Sequence, residues 1–359
     1  MTVKMAQPAN PANFMLGDVT AYNTGTGALV VNVLYSGGSG TIANWNVMQS
    51  VATTGDATLT SINGGQLAGL RNRIINGDMR VAQRGTSYGT PAINVETYTT
   101  DRWFTFATGA AVSVLRANGP NAVLPYALSQ VGVAGNTGCS FYQRVESLNS
   151  MSLSGENVTI SAWLYSTDAI SVTWGVYSNN AVDVSVARTS RHTGTIALSA
   201  GWNYTTLNIP AFNAVAASNG FQFGYAFPAT VAGITRAGSG VQLEISNVAT
   251  PFEQRPYGME LALCQRYYER SAAIVNQIAA SAQHLANVWF KVAKRVSPTS
   301  IVYTSSVGGA TGKGYNYSTS LDIAATTQGA GTDMITVALQ TTVSAGNNIA
   351  FNYTAEAEL

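Results

Sequence analysis

Val158-Thr159-Ile160-Ser161-Ala162-Trp163-Leu164-Tyr165-Ser166 alternates without a break. Val158, Ile160, Ala162 and Leu164 fall on one side, and Thr159, Ser161, Trp163 and Tyr165 on the other. A period of two marks a half-buried β-strand, because successive side chains of an extended chain point to opposite faces. On either side, β-biased runs recur between turn clusters: Arg102 to Phe106, Val112 to Arg116, Ser140 to Val145, Ile170 to Tyr177, Asp183 to Arg188, Gly194 to Leu198, Trp202 to Ile209, Phe221 to Ala226 and Gly240 to Val248. No helical pattern of roughly 10–15 residues separates them, which predicts an antiparallel β-sandwich or jelly roll over residues 73–258.

Past this domain, Glu260 to Glu269 predicts a short helix within a connecting segment, 259–271. Leu261, Cys264 and Tyr268 stand at i, i+3 and i+7, with Leu263 and Tyr267 at i and i+4. Val288 to Val292, Ile301 to Ser305, Met334 to Leu339 and Ile349 to Ala355 then read as strands of a C-terminal β-domain, 272–359, in which Gly312-Lys313-Gly314 reads as a turn. Ahead of the sandwich, Asp18 to Tyr22, Ala28 to Leu34 and Trp45 to Met48, joined by Gly-rich turns, outline a small N-terminal β-module over 1–52. The Thr, Ser, Gly and Asn of Thr53 to Gly69 place a linker or neck at 53–72. The chain is expected to be mainly all-β.

Only 10% of the 359 residues are charged, against about 25% in ordinary soluble domains. Ser, Thr, Asn, Gln and 35 Gly supply the polar surface instead, a mix suited to tight-turned β-structure facing sugars or partner subunits. The net charge is +1. The densest basic cluster, Lys291, Lys294 and Arg295, reads as a solvated strand end, so nucleic-acid binding is not expected. Cys139 and Cys264 lack metal-site spacing; a long-range bridge between them is open, but two free thiols fit assembly in a cytoplasm better. Met1 to Asn13 holds no apolar leader, and no run reaches the ~18 apolar residues of a membrane span. A chain of this kind working outside a cell is expected to leave as part of a particle or by lysis.

Chemistry-bearing patterns are scarce. His192, in a turn context, and His284 lack HxxH, HExxH or CxxC partners, and there is no GxSxG elbow or GxxxxGK[ST] loop. Glycoside hydrolysis needs paired carboxylates, yet Glu96, Asp101, Glu146, Asp168, Asp183 and Glu244 are scattered through the main domain. No enzyme is expected. The positive signal is aromatic: Trp103, Trp163, Tyr165, Trp174, Tyr177, Trp202 and Tyr204 sit on or beside predicted strands. Sugar rings stack their C–H faces on such side chains, and core burial is the competing role for each. Trp163, Tyr165, Trp174, Tyr177, Trp103 and Trp202 are the carbohydrate-binding candidates. Trp163 with Tyr165 stands out, because the opposite face of its strand already supplies an apolar stripe.

Four blocks carry a resemblance. Ala9-Asn10-Pro11-Ala12-Asn13-Phe14-Met15, continuing through Val19-Thr20-Ala21-Tyr22 to Val33, resembles a β-module of bacteriophage tail-fibre and tail-collar proteins. Leu70-Arg71-Asn72-Arg73-Ile74-Ile75-Asn76-Gly77-Asp78-Met79 with Ala82-Gln83-Arg84-Gly85 is similar to the start of a phage fibre domain. Gly240 to Ile245, then Ala249-Thr250-Pro251-Phe252-Glu253-Gln254-Arg255-Pro256-Tyr257-Gly258 and Glu260 to Glu269, resembles the end of that domain and its joining helix. Phe351 to Leu359 resembles the usual ending of such chains.

The resemblance implies a jelly roll related to carbohydrate-binding modules, carried on virion fibres that are usually homotrimers. Residues 1–52 would hold other virion proteins while the jelly roll and C-terminal domain meet host-surface glycans, with no membrane insertion. It also implies a structural Ca²⁺ where opening and closing strands meet, with Asp78 and Glu244 as candidate ligands. One departure is that strands normally preceding the Val19-Thr20-Ala21 segment are missing, or lie upstream of Met1. The half-module is therefore expected to complete its sheet against a neighbour. The alternatives are a structural head fibre, capsid decoration or neck component and, less favoured, a polysaccharide depolymerase.

Overall fold

The computed structural model describes residues 2–49, 69–277, 283–340 and 347–359. The chain divides into two compact units, Met1–Thr60 and Ser61–Leu359. The expected neck at Thr53 to Gly69 lies, Gly69 apart, outside the described residues.

In the first unit β1 (Thr2–Gln7), β2 (Asn10–Tyr22), β3 (Leu29–Gly37) and β4 (Asn46–Gln49) form an antiparallel sheet in the order β3-β2-β1-β4. Val3 and Met5 alternate inward from Thr2 and Lys4, and are buried with Leu16. Sequence reasoning missed β1. Among the described residues the sheet is open, with β3 and β4 as its edges. Val30, Val33, Leu34 and Tyr35 of β3 and Val47 and Met48 of β4 are exposed.

The second unit begins with a two-layer sandwich. Its strands are β5 (Ser87–Gly89), β6 (Thr97–Tyr98), β7 (Trp103–Thr108), β8 (Ser113–Asn118), β9 (Tyr126–Val131), β10 (Gly138–Val145), β11 (Val158–Ser166), β12 (Ile170–Ala181), β13 (Val184–Leu198), β14 (Gly201–Ile209), β15 (Phe221–Pro228) and β16 (Thr235–Ile245). One sheet runs β13-β12-β15-β10-β7-β6 and the other β14-β11-β16-β9-β8-β5, antiparallel throughout. The alternation of β11 has its expected consequence: Val158, Ile160, Ala162 and Leu164 are fully buried in the core between the sheets. Burying an aliphatic side chain of this size contributes roughly 1.5–3 kcal/mol. The facing sheet answers with Trp103, Phe141, Val172, Val176, Phe221, Phe223 and Tyr225. Contact between layers is close enough that a Cβ at Gly238 would lie 2.2 Å from the Phe141 ring.

The runs expected at Asp183–Arg188 and Gly194–Leu198 are one strand, β13, because its partner β12 extends to Ala181 and pairs along it. His192 therefore sits within a strand and not in a turn. Its Nε2 accepts from the Asn213 amide at 3.2 Å, the residue that caps α2 (Ala214–Asn219), which follows α1 (Ser147–Ser150).

The connecting helix α3 (Tyr257–Gln265) starts and ends earlier than the periodicity predicts. By Tyr268 the chain is already a strand, β17 (Tyr268–Gln277). Tyr267 is drawn out of the helix into burial, its ring under the Arg102 guanidinium at 3.4 Å to the centroid. With β18 (Gln283–Trp289), β19 (Ser300–Ser305), β20 (Lys313–Asn316), β21 (Leu321–Ala330), β22 (Met334–Gln340) and β23 (Asn347–Glu356), β17 makes a seven-stranded antiparallel sheet, curled around Ile335, Val337, Leu339, Ile349 and Phe351. Of the expected Gly312-Lys313-Gly314 turn only Gly312 turns; Lys313 and Gly314 open strand β20 and pair with Ala324 and Ile323. Among the described residues no helix is long and apolar enough to cross a membrane.

Sandwich and C-terminal sheet meet at a charged seam. Glu358 pairs with Arg102 and Arg84, and Glu356 with Arg84. Arg295 donates to the carbonyls of Ala357 and Glu358. Lys294 corrects the reading of its cluster as solvated: its side chain and that of Glu269 are 0% exposed, with Nζ 2.7 Å from a Glu269 oxygen. Nζ also donates to the carbonyls of Gln265 and Val292, while the Tyr353 hydroxyl donates to Glu269 at 2.7 Å. In so charge-poor a chain the pairs of Arg84 and Arg102 with Glu356 and Glu358 join two β-structures, while the Lys294–Glu269 pair lies within the second of them.

Candidate functional site

The outward face of the β13–β6 sheet is hollow, and register explains why. One row across β7, β10, β15 and β12 reads Phe104, Tyr142, Gly224, Gly175, and the next reads Phe106, Ser140, Ala226, Thr173. In the first row aromatic rings on β7 and β10 give way to glycines on β15 and β12; in the second a single ring, Phe106, stands at the end of a row of small residues. A Cβ at Gly175 would fall 2.5 Å from the Tyr177 hydroxyl, and one at Gly224 2.5 Å from Cδ1 of Tyr142. The two tyrosine rings thus lie down over bare backbone. Tyr142 stacks beside Phe104, centroids 5.7 Å apart, and meets Tyr177 edge-on at 6.3 Å.

The resulting groove encloses about 350 Å³ at one end, lined by Glu96, Phe104, Phe106, Tyr142, Tyr177, Val186, Arg188 and Gln222. Through Phe106 and Tyr142 it adjoins a second hollow bounded by Thr108, Gly138, Ser140 and Ala226. Glu96 bridges Arg144 and Arg188, the latter at 2.7 Å, and closes one end with charge. The Gln222 Oε1 atom is buried with no hydrogen-bond partner among the described residues. An acceptor left so is costly unless something donates to it, and a ligand hydroxyl would. Burial pushes the Tyr142 phenol up to about 12, so it stays protonated at neutral pH.

Of the aromatic candidates, Tyr177 alone belongs to this groove. Trp163, Tyr165 and Trp202 gather on the outward face of the opposite sheet, where Trp163 pairs with Tyr204 and Tyr165 with Trp202, both at 5.3 Å. Trp174 packs against the core. Trp103 is a correction: it is 0% exposed, its Nε1 donates to the Asn76 carbonyl at 2.9 Å, and no ligand reaches it. Sequence reasoning missed Phe104, Phe106 and Tyr142. The alternation Trp103-Phe104-Thr105-Phe106 put rings on both faces of one strand, and register was needed to see which rings converge.

The two carboxylates offered for Ca²⁺ do not fit it. The ion takes 6–8 oxygen ligands, whereas Asp78 pairs with Arg80 Nε at 3.0 Å and burial holds its pKa above the usual carboxylate range. Glu244 accepts from the Gln242 side chain, the Thr250 amide and the Thr250 hydroxyl at 2.7–2.9 Å. Among the described residues no three His, Cys, Asp or Glu side chains gather as a metal site. The other acids are likewise taken up by protein donors: Asp101 by Gln83, Glu146 by Arg266, Asp168 by Arg236 and Asp183 by Ser147. Both cysteines are free and buried.

No protein-family model and no curated protein sequence matches the chain. Among solved structures it is distantly similar to the enzymatically active domain of bacteriophage CBA120 tailspike protein 4, with a TM-score of 0.34 and 14% identity over 48% of this chain and 21% of that one. A family 4 carbohydrate-binding module gives 0.31 and 15% over 47% of this chain and 97% of that one. A family 61 module solved with β-1,4-galactotriose gives 0.30 and 14%, over 49% and 99%.

Proposed function

We propose that this protein is a non-catalytic glycan-binding subunit of a bacteriophage fibre, whose sandwich grips a saccharide chain in the groove over Gly175 and Gly224. The observation that carries this is the groove itself: tyrosine rings laid over bare glycines, an unpartnered Gln222 acceptor and a Glu96–Arg188 pair within reach. Binding sites of this kind combine an apolar lining with a few convergent polar groups. The lining holds one carboxylate, Glu96, where hydrolysis uses two, which favours binding without cleavage.

The sequence blocks at 9–33, 70–85, 240–269 and 351–359 support the fibre assignment. Exposed Val30, Leu34 and Tyr35 along the edge strand β3 support attachment to other virion proteins through residues 1–52. Weak single-site stacking would be multiplied by several copies on one particle.

The test is a glycan array probed with the full-length chain, beside its Tyr142→Ala variant. The expected result is retention of a saccharide set that Tyr142→Ala loses with its melting curve unchanged. Retention by the variant equal to the parent would refute the groove. A species of three times the 37.6 kDa chain mass is expected in solution, and a monomer by light scattering would count against the trimeric fibre.

A further inference from the structure

We infer that the sandwich carries a second ligand site, for the oxyanion of an acidic saccharide, where its interior opens beside β8 and β9. The inference rests on the glycan-binding reading for the class of ligand and on Arg116 for its charge.

Inward positions of β8 and β9 alternate, and Val114 and Leu128 are the last of them to join the core. The next inward positions hold Arg116 and Tyr126, diagonal neighbours across the strand pair. There the sandwich is not filled. A cleft of about 470 Å³ is lined by Arg80, Ala82, Gln83, Arg116, Tyr126 and Tyr257, within the ~300–1,000 Å³ usual for ligand pockets. It shares no lining residue with the groove on the other sheet.

Charge pairing distinguishes Arg116 from Arg80, the other arginine of the cleft. Arg102, Arg144, Arg236 and Arg255 each hold a carboxylate, and Arg80 is matched by Asp78. Arg116 has no carboxylate partner among the described residues. Its guanidinium lies over the Tyr126 ring at 4.1 Å to the centroid, and Nη1 donates to the Arg80 carbonyl at 2.9 Å. Stacking and that one bond fix the plane of the fork while leaving other N–H groups to be satisfied from the cleft. A guanidinium held so suits bidentate recognition of a carboxylate or phosphate. Tyr126 and Tyr257, 37% and 54% exposed, stand at the mouth, where a sugar ring can lie against them.

The experiment uses the full-length chain on an array of uronate-, sialate- and phosphate-bearing oligosaccharides beside their neutral counterparts, with affinities of retained pairs measured by titration calorimetry. The expected result is at least a tenfold preference for an acidic member over its neutral counterpart, weakening at 0.5 M salt. Arg116→Gln should abolish that preference. Arg116→Lys, which keeps the charge and loses the fork, should lose most of it. Tyr142→Ala should leave it in place. Which acidic members bind separates a carboxylate source from a phosphate one. Equal binding of acidic and neutral members overturns the inference, as does a preference that survives both Arg116 variants. Loss of neutral binding in Tyr142→Ala without any acid preference leaves the groove standing and removes only this site.

Discussion

Replacing Lys294 with Met tests the buried ion pair that ties β17 to the segment between β18 and β19 within the C-terminal sheet. The substitution keeps most of the side-chain volume and removes the ammonium. Glu269, 0% exposed, would keep the Tyr353 hydroxyl and the Lys291 amide as donors and lose the cation paired with it. The carbonyls of Gln265 and Val292 would lose a donor as well. Breaking a buried pair from one side costs about 3–5 kcal/mol, because a buried charge is left uncompensated. For a unit of this size that lowers the melting temperature by on the order of 10 °C. Urea unfolding followed by circular dichroism would measure it, in a double-mutant cycle with Glu269→Gln. Since the glutamine is neutral and still accepts from Tyr353, the double variant should be more stable than Lys294→Met alone. A Lys294→Met variant within 1 kcal/mol of the parent, or strictly additive effects, would show that the pair carries no such coupling.

Three further outcomes follow from other sites. Gly175→Ala should push the Tyr177 ring off its bed, since the new methyl would lie 2.5 Å from the hydroxyl; glycan retention should fall with little loss of stability, and unchanged retention would mean that the ring's seat is immaterial. His192 has its pKa lowered by burial, so the unfolded chain binds the proton more readily than the folded one. Its contribution should be fully present above the unfolded value of about 6.5 and decline as pH falls below it; a His192→Asn variant should flatten that slope in denaturation curves at pH 7.5 and 5, and an equal slope in both proteins would sink the assignment. Burial pushes the Cys139 thiol up to about 11, so iodoacetamide at pH 8 should label the native protein slowly and the urea-unfolded protein at both cysteines; rapid native labelling would contradict the packing.

The fold class was legible because β11 alternates without interruption and its inward residues need a facing layer. The groove was not legible, because its depth comes from absent side chains. Gly175, Gly224, Ala226 and Ser140 mean little singly, and register alone aligns them between Phe104 and Tyr177. Trp103 misled for a related reason: its strand carries rings on both faces, and composition cannot say which face is inside. Lys294 was misread because a cation in a run with Lys291 and Arg295 suits solvent as well as a distant glutamate, and Glu269, 25 positions earlier, was assigned to the helix. His192 lost its turn once β12 proved long enough to pair past it.

The Arg102–Glu358 pair joins residues 256 positions apart, which bears on anyone wishing to cut the sandwich free as a portable reagent. A fragment ending at residue 258 would keep Arg102, 1% exposed in the whole protein, and discard both Glu358 and the Tyr267 ring against which it lies. Such a fragment would expose or strand a cation beside its own core. A usable excision would retain the closing segment by circular permutation, or replace Arg102 with a neutral residue. The boundary that sequence composition draws is therefore not one at which the chain can be cleanly divided.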